Sequence, residues 1–89
     1  MSLKAEIFVT LKKSVLDPQG QTIQGALHSL GHQEVSDVRV GKYIVIHLNH
    51  DDENDAKNQI NTMCEKLLAN LVIEEYSFTI HSAAESAYS

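Results

Sequence analysis

Two kinds of periodicity alternate along this chain, and their order constrains the fold more than any other feature. Residues 3–13 follow a period of two: Ile7, Val9 and Leu11 point one way, and Glu6, Phe8, Thr10 and Lys12 the other. That is the pattern of a strand with one buried face. Residues 71–81 alternate again, with Val72, Tyr76, Phe78 and Ile80 on one face and Glu75, Ser77 and Thr79 on the other. Between these ends the apolar residues twice recur every three or four positions. Ile23, Ala26, Leu27 and Leu30 mark a first helix from about Pro18 to Leu30; Asp17 serves as its N-cap, Pro18 stands at its first position and Gly31 closes it. Ala56, Ile60, Met63, Cys64, Leu67 and Leu68 mark a second, from about Glu53 to Ala69, with Asp51, Asp52, Glu53 and Asp55 at the positive end of its dipole.

The stretch between the helices is rich in β-formers. Val35, Val38 and Val40 give one strand over residues 34–41; Tyr43, Ile44, Val45, Ile46 and Leu48 give another over 42–49, and Gly41-Lys42 reads as the tight hairpin turn between them. The resulting order, β-α-β-β-α-β, predicts an α+β, ferredoxin-like fold: an antiparallel sheet with both helices on one face. Residues 1–81 make a single domain, and 82–89 a flexible C-terminal tail. The face under the helices holds Ile7, Val9, Leu11, Val38, Val40, Ile44, Ile46, Leu48, Tyr76, Phe78 and Ile80.

The opposite face carries Phe8, Thr10, Tyr43, Val45, His47, Ile73, Ser77 and Thr79. Phe8, Tyr43, Val45 and Ile73 together are more apolar than a solvated face requires, which makes them candidates for self-association in a dimer or tetramer. Scattered surface apolar residues are the plainer alternative.

At 89 residues the chain can bury one modest core and has little volume left for an enclosed active site. Hydrophobic residues make up 43% and charged residues 21%, an ordinary globular composition. A net charge of −5, with scattered Lys and Arg, argues against a nucleic-acid partner. No apolar run reaches membrane-spanning length. The first six residues lack the apolar core of a signal peptide, and the single Cys64 allows no internal disulfide, so the expected location is the cytoplasm.

No catalytic constellation stands out, and no cofactor or metal is expected. Asp51 to Asp55 lacks the glycine and distal glutamate of a calcium loop and suits a solvated helix start. His28 and His32 have a zinc-ligand spacing, but Gly31 interrupts the helix between them; His47 and His50 straddle a strand end. Cys64 lies on the apolar face of the second helix and reads as a core residue. Arg39 and Lys42 flank a turn, where they either meet an anion or simply solvate a hairpin.

Three segments, taken in order, resemble the PurS family of small purine-biosynthesis proteins. They are Leu16-Asp17-Pro18-Gln19-Gly20 with the helix through Leu30-Gly31; Val38-Arg39-Val40-Gly41-Lys42; and Met63 to Asn70 followed by Val72-Ile73-Glu74 and Tyr76. The likeness spans Ile7 to Ile80, with one departure: Leu71 stands where the family usually has proline. The resemblance implies a non-catalytic subunit of phosphoribosylformylglycinamidine synthase, an ATP- and glutamine-dependent ligase. Such a subunit forms dimers or tetramers and joins the glutaminase subunit to the ATP-dependent synthetase subunit for ammonia transfer. It also implies partner-contact roles for Asp17, Pro18, Gln19, Gly20, Arg39, Gly41 and Lys42, all at turns or strand ends. The alternative is an ACT-like small-molecule-binding regulatory module, which shares the topology and a similar turn before its first helix; calorimetry with amino acids separates the two. A small phosphatase of the same topology would need an arginine between Ser14 and Gly20, and none is there.

Overall fold

The computed structural model describes residues 2–82. Strand β1 (Ser2–Leu11) leads to helix α1 (Pro18–Ser29), strand β2 (Gly41–Asn49), helix α2 (Glu53–Met63), a π-helical turn (Cys64–Leu68) and strand β3 (Glu74–Ser82). The α+β class and the antiparallel sheet are as the periodicities predict. The strands lie in the order β2-β1-β3, with β1 antiparallel to both neighbours. The register pairs Phe8 with Tyr43 and Ser77, and Ile7 with Ile44 and Phe78, so both faces have the expected membership along β1. The expected tail lies, from residue 83 on, outside the described residues.

β1 is central and buries most of its inner side: Leu3, Ala5, Ile7 and Val9 are each at most 4% exposed, and Leu11 is half-buried. Ile60 and Cys64 of the second helical segment meet Ala5, Ile7 and Val9, and Ile44, Ile46, Leu48, Tyr76, Phe78 and Ile80 pack around them. Cys64 is a core residue, as expected. The Tyr76 hydroxyl donates to Asn61 Oδ1 at 2.7 Å, which ties α2 to β3.

Local signals set the helix ends. Asp52 caps α2 through the Asn54 and Asp55 N–H groups, at 2.9 and 3.3 Å. At the end of α1, Gly31 has φ +102°; its N–H reaches the His28 carbonyl and the His32 N–H the Leu27 carbonyl, both at 3.0 Å. That is the Schellman closure, which an L side chain at Gly31 would strain. The far end of the second helix departs from expectation. The Ala69 N–H bonds the Cys64 carbonyl five residues back, at 3.0 Å. This wider turn rotates the face by one residue: Leu68 joins the core and Leu67 is 82% exposed.

Two further expectations are corrected. β3 begins at Glu74, because residues 71–73 form a turn around Asn70, whose carbonyl accepts from Ile73 N at 3.0 Å and Glu74 N at 2.6 Å. Val72 is consequently 80% exposed and has no place on the inner face. Of the expected strand over 34–41, residues 34–40 form no ladder strand, and Gly41-Lys42 is no hairpin turn. Residues 36–40 instead run into β2, which starts at Gly41. The backbone N–H of Val40 is taken by Asp17, and Arg39 is bonded to the loop after β1, so this segment is held to the start of α1 and cannot fold back.

α1 contributes no residue to the core cluster; only its Gly20 is buried. Leu30 is 75% exposed. The chain measures 49 × 32 × 15 Å with a radius of gyration of 16.6 Å, against about 12 Å for a compact domain of this length. α1 and its return segment form an arm that stands off the sheet.

Candidate partner-contact site

The loop after β1, the start of α1 and the segment entering β2 are stitched together by two side chains. Asp17 is 4% exposed and uses both carboxylate oxygens. Oδ1 accepts from the Gly20 N–H at 2.9 Å and caps α1; Oδ2 accepts from the Val40 N–H at 2.8 Å. These two backbone donors, Val40 first, hold its carboxyl below the usual aspartate range, with the Arg39 charge adding to the effect. Arg39 Nη2 donates to the carbonyls of Lys12 and Val15, at 2.9 and 3.0 Å. Gly20 is pressed so closely on the Val38 carbonyl that a Cβ has no room. At Gly41 a Cβ would come within 2.6 Å of the Val9 carbonyl.

Beside this junction lies a cleft of ≈ 400 Å³ lined by Val9, Leu11, Asp17, Gln19, Val40, Gly41, Lys42 and Glu74. Four of the expected contact residues, Asp17, Gln19, Gly41 and Lys42, therefore meet although up to 25 positions separate them (42 − 17). Pro18 and Gly20 flank them within the first turn of α1, and Arg39 is engaged on the carbonyls of the 12–15 loop. Sequence reasoning missed Glu74, whose carboxylate lies 3.6 Å from Lys42 Nζ. No local pattern announces that pair, because β2 and β3 lie on opposite sides of β1 and do not pair with each other. The cleft offers an amide, an ammonium and a carboxylate for hydrogen bonding to a protein surface. Both Asp17 oxygens are engaged on backbone N–H groups.

Two of the flagged histidines are engaged. His28 Nε2 donates to the Val35 carbonyl at 2.7 Å, and Gln24 Nε2 to the Ser36 carbonyl at 3.1 Å, so the return segment is fastened to the far end of α1 as well. His50 Nδ1 accepts from the Asp52 N–H, which fixes the proton on Nε2, where it is donated to Asp55 at 2.6 Å. That bond comes first among the causes holding the Asp55 carboxyl below its ordinary range. Burial pushes the Cys64 thiol up, the opposite of an activated nucleophile.

On the open sheet face, Phe8 and Tyr43 are tilted neighbours with ring centroids 5.2 Å apart, 45% and 55% exposed. Tyr43 donates to Glu6, which lowers the Glu6 pKa and raises that of the phenol; His81 Nε2 lies 3.0 Å from the other Glu6 oxygen. Val45 pairs with Glu6 on the same face. Ile73 stands apart from this group, in the 71–73 turn, where its carbonyl accepts from Lys12 N at 2.8 Å.

The family model described as PurS, phosphoribosylformylglycinamidine (FGAM) synthase, matches residues 4–82. The chain belongs to the PurS family. A Synechocystis sp. relative named phosphoribosylformylglycinamidine synthase subunit PurS is 51% identical over 86 residues, 97% of this chain and 85% of its own. The Bacillus subtilis relative of the same name is 49% identical over 77 residues, 86% of this chain and 90% of its own. Among solved structures, B. subtilis PurS in its C2 crystal form superposes with a TM-score of 0.80 at 46% identity, over 90% of this chain and 99% of its own. A chain of PurLQS from Thermotoga maritima superposes with a TM-score of 0.84 at 31% identity, over 91% of this chain and 99% of its own. The first two PurS-like segments are those that Asp17 and Arg39 lock together. The third holds the π-helical turn and the Asn70 corner. At that corner, which holds Leu71, the Asn70 and Glu74 side chains make the bend: Glu74 Oε1 accepts from Asn70 N at 2.7 Å and Asn70 Oδ1 from Val72 N at 3.1 Å.

Proposed function

We propose that this chain is the small, non-catalytic subunit of a phosphoribosylformylglycinamidine synthase in purine biosynthesis. In this reading it self-associates and joins the glutaminase subunit to the ATP-dependent synthetase subunit, so that ammonia passes between them. The observation that carries the proposal is the likeness to a chain of PurLQS, an assembly named for three components, over 91% of this chain. The geometry supports it. The junction cleft offers Gln19, Lys42 and Glu74 at its lining, and the Phe8–Tyr43 face offers an apolar surface with polar edges; both suit protein contacts. Asp17, Pro18 and Gly20 shape the first, and Arg39 has guanidinium donors beyond the Nη2 engaged on the loop.

Self-association has its own support in the arm that leaves α1 outside the core. Cytoplasmic location follows from the proposed pathway, and no helix among the described residues is long and apolar enough to cross a membrane. The test is co-elution. Mixed with the synthetase and glutaminase subunits of the same source, the chain is expected to move into one higher-mass species containing all three. Three separate peaks at micromolar concentration, under the ligand conditions that support turnover, contradict the proposal.

A further inference from the structure

The inner face of the sheet does not stay apolar to its end. In β2, Lys42 shares a side with Ile44, Ile46 and Leu48; in β3, Glu74 shares one with Tyr76, Phe78 and Ile80. A cation and an anion thus stand on the face that otherwise makes the core. The register sets them on either side of β1, Lys42 opposite Val9 and Glu74 opposite Leu11. Their side chains reach toward each other across that strand until Nζ and Oε2 are 3.6 Å apart. α1 gives the core no residue, and Gln19 of its first turn borders this end of the face. The result is the ≈ 400 Å³ cleft at the junction, within the range of about 300–1,000 Å³ typical of small-molecule sites.

Three properties of the cleft suit one kind of ligand. Val9, Leu11 and Val40 give it an apolar lining. Its two charges are opposite in sign but not closed on each other: they lie 3.6 Å apart, beyond the about 2.7–3.2 Å of an N–H···O bond. The Glu74 side chain is only 15% exposed, and its Oε1 already accepts from Asn70 N, so Oε2 is a largely buried acceptor short of a close donor. The walls are also fixed in advance. Asp17 ties the start of α1 to Val40, and Gly41 is pressed against the Val9 carbonyl, so a ligand meets groups already in place.

We propose that this cleft binds a free α-amino acid. The ligand carboxylate lies against Lys42 Nζ, its ammonium against Glu74 Oε2 and its side chain over Val9, Leu11 and Val40, while Gln19 offers an amide beside them. Carboxylate and ammonium on one carbon present two close charges, as Lys42 and Glu74 do, with the signs exchanged. Each charge then has an opposite neighbour, and the loose ion pair closes through the ligand. A simple acid or a simple amine satisfies only half of this arrangement. Binding is a property of the chain alone, so it can fail while assembly with the partner subunits holds, and the reverse. Family membership rests on likeness of sequence and structure, and amino-acid binding adds to it.

Calorimetry and amide NMR on the full chain test this. Glutamine, glycine and leucine are titrated in turn, with acetate and methylamine as probes that carry one charge each. At least one amino acid is expected to bind with a Kd below about 1 mM, at least about tenfold tighter than either single-charge probe. It should move the amide signals of Gln19, Gly41, Lys42 and Glu74. Lys42→Met and Glu74→Gln should each weaken binding about tenfold or more; the glutamine retains an oxygen for the Asn70 N–H. No binding of the three amino acids at about 10 mM overturns the proposal. So does acetate or methylamine binding as tightly as the amino acids, or parent-like affinity in both variants. If either variant fails to fold, the signals of the parent chain decide: shifts that leave Lys42 and Glu74 unmoved overturn the site.

Discussion

Asp17 is the residue on which most of the local architecture turns. Its carboxylate caps a helix and takes an N–H from 23 residues away, and both bonds favour the charged form. The sign follows: a depressed folded-state pKa contributes stability that is present above the unfolded value and lost as pH falls through the folded one. Asp17→Asn is expected to lower Tm at neutral pH by several degrees, with the difference from the parent shrinking as pH falls below about 4, the ordinary aspartate range, and through the lower folded-state value. Thermal melts across that range check it; a difference independent of pH would contradict it. Two glycines of α1 should respond with opposite signs. Gly20 has the Val38 carbonyl against its missing side chain, whereas Gly25 has open space. Gly20→Ala should destabilise clearly, while Gly25→Ala should stabilise by about 0.4–1 kcal/mol through reduced unfolded-state entropy. Urea unfolding of both decides.

The elements show where sequence reading succeeds and where it stops. α1 was legible to within a residue because Asp17, Pro18 and Gly31 are chemical signals confined to its ends. The start of α2 was legible for the same reason, through the acidic first turn. The π-helical turn was not, since nothing in Cys64-Glu65-Lys66-Leu67-Leu68 favours a five-residue bond over a four-residue one. Which leucine faces the core is settled by packing, and Leu67→Lys should therefore cost less than about 0.5 kcal/mol while Leu68→Lys costs at least about 2 kcal/mol. Equal costs would contradict the wider turn. The unformed strand at 34–40 has a similar origin. Val35, Val38 and Val40 carry β-propensity, but propensity follows the partner available, and here Asp17 and Arg39 hold the segment against the helix base. The contact roles of Asp17, Gln19, Gly41 and Lys42 were read from family likeness, but their meeting in one cleft with Glu74 was not legible in the sequence, because it depends on how β1, α1, β2 and β3 pack.

At the scale of the whole molecule, the described residues form a three-stranded sheet, one covering helix and an arm. Arg39 links the two scales, because its Nη2 fastens the arm to the loop after β1 while other guanidinium donors remain. Arg39→Glu should leave the far-UV spectrum folded and weaken assembly with the partner subunits by about tenfold or more in apparent Kd, as titrated by size exclusion. Unchanged assembly would remove Arg39 from the interface. The central claim is that this chain couples two other active sites without one of its own. Reconstitution tests it most directly: synthetase and glutaminase subunits from the same source, assayed with and without this chain, using glutamine or ammonium as the nitrogen donor. The account predicts that glutamine-dependent product formation requires the chain and that ammonium-dependent formation proceeds without it. Equal glutamine-dependent rates in its presence and absence would contradict the account.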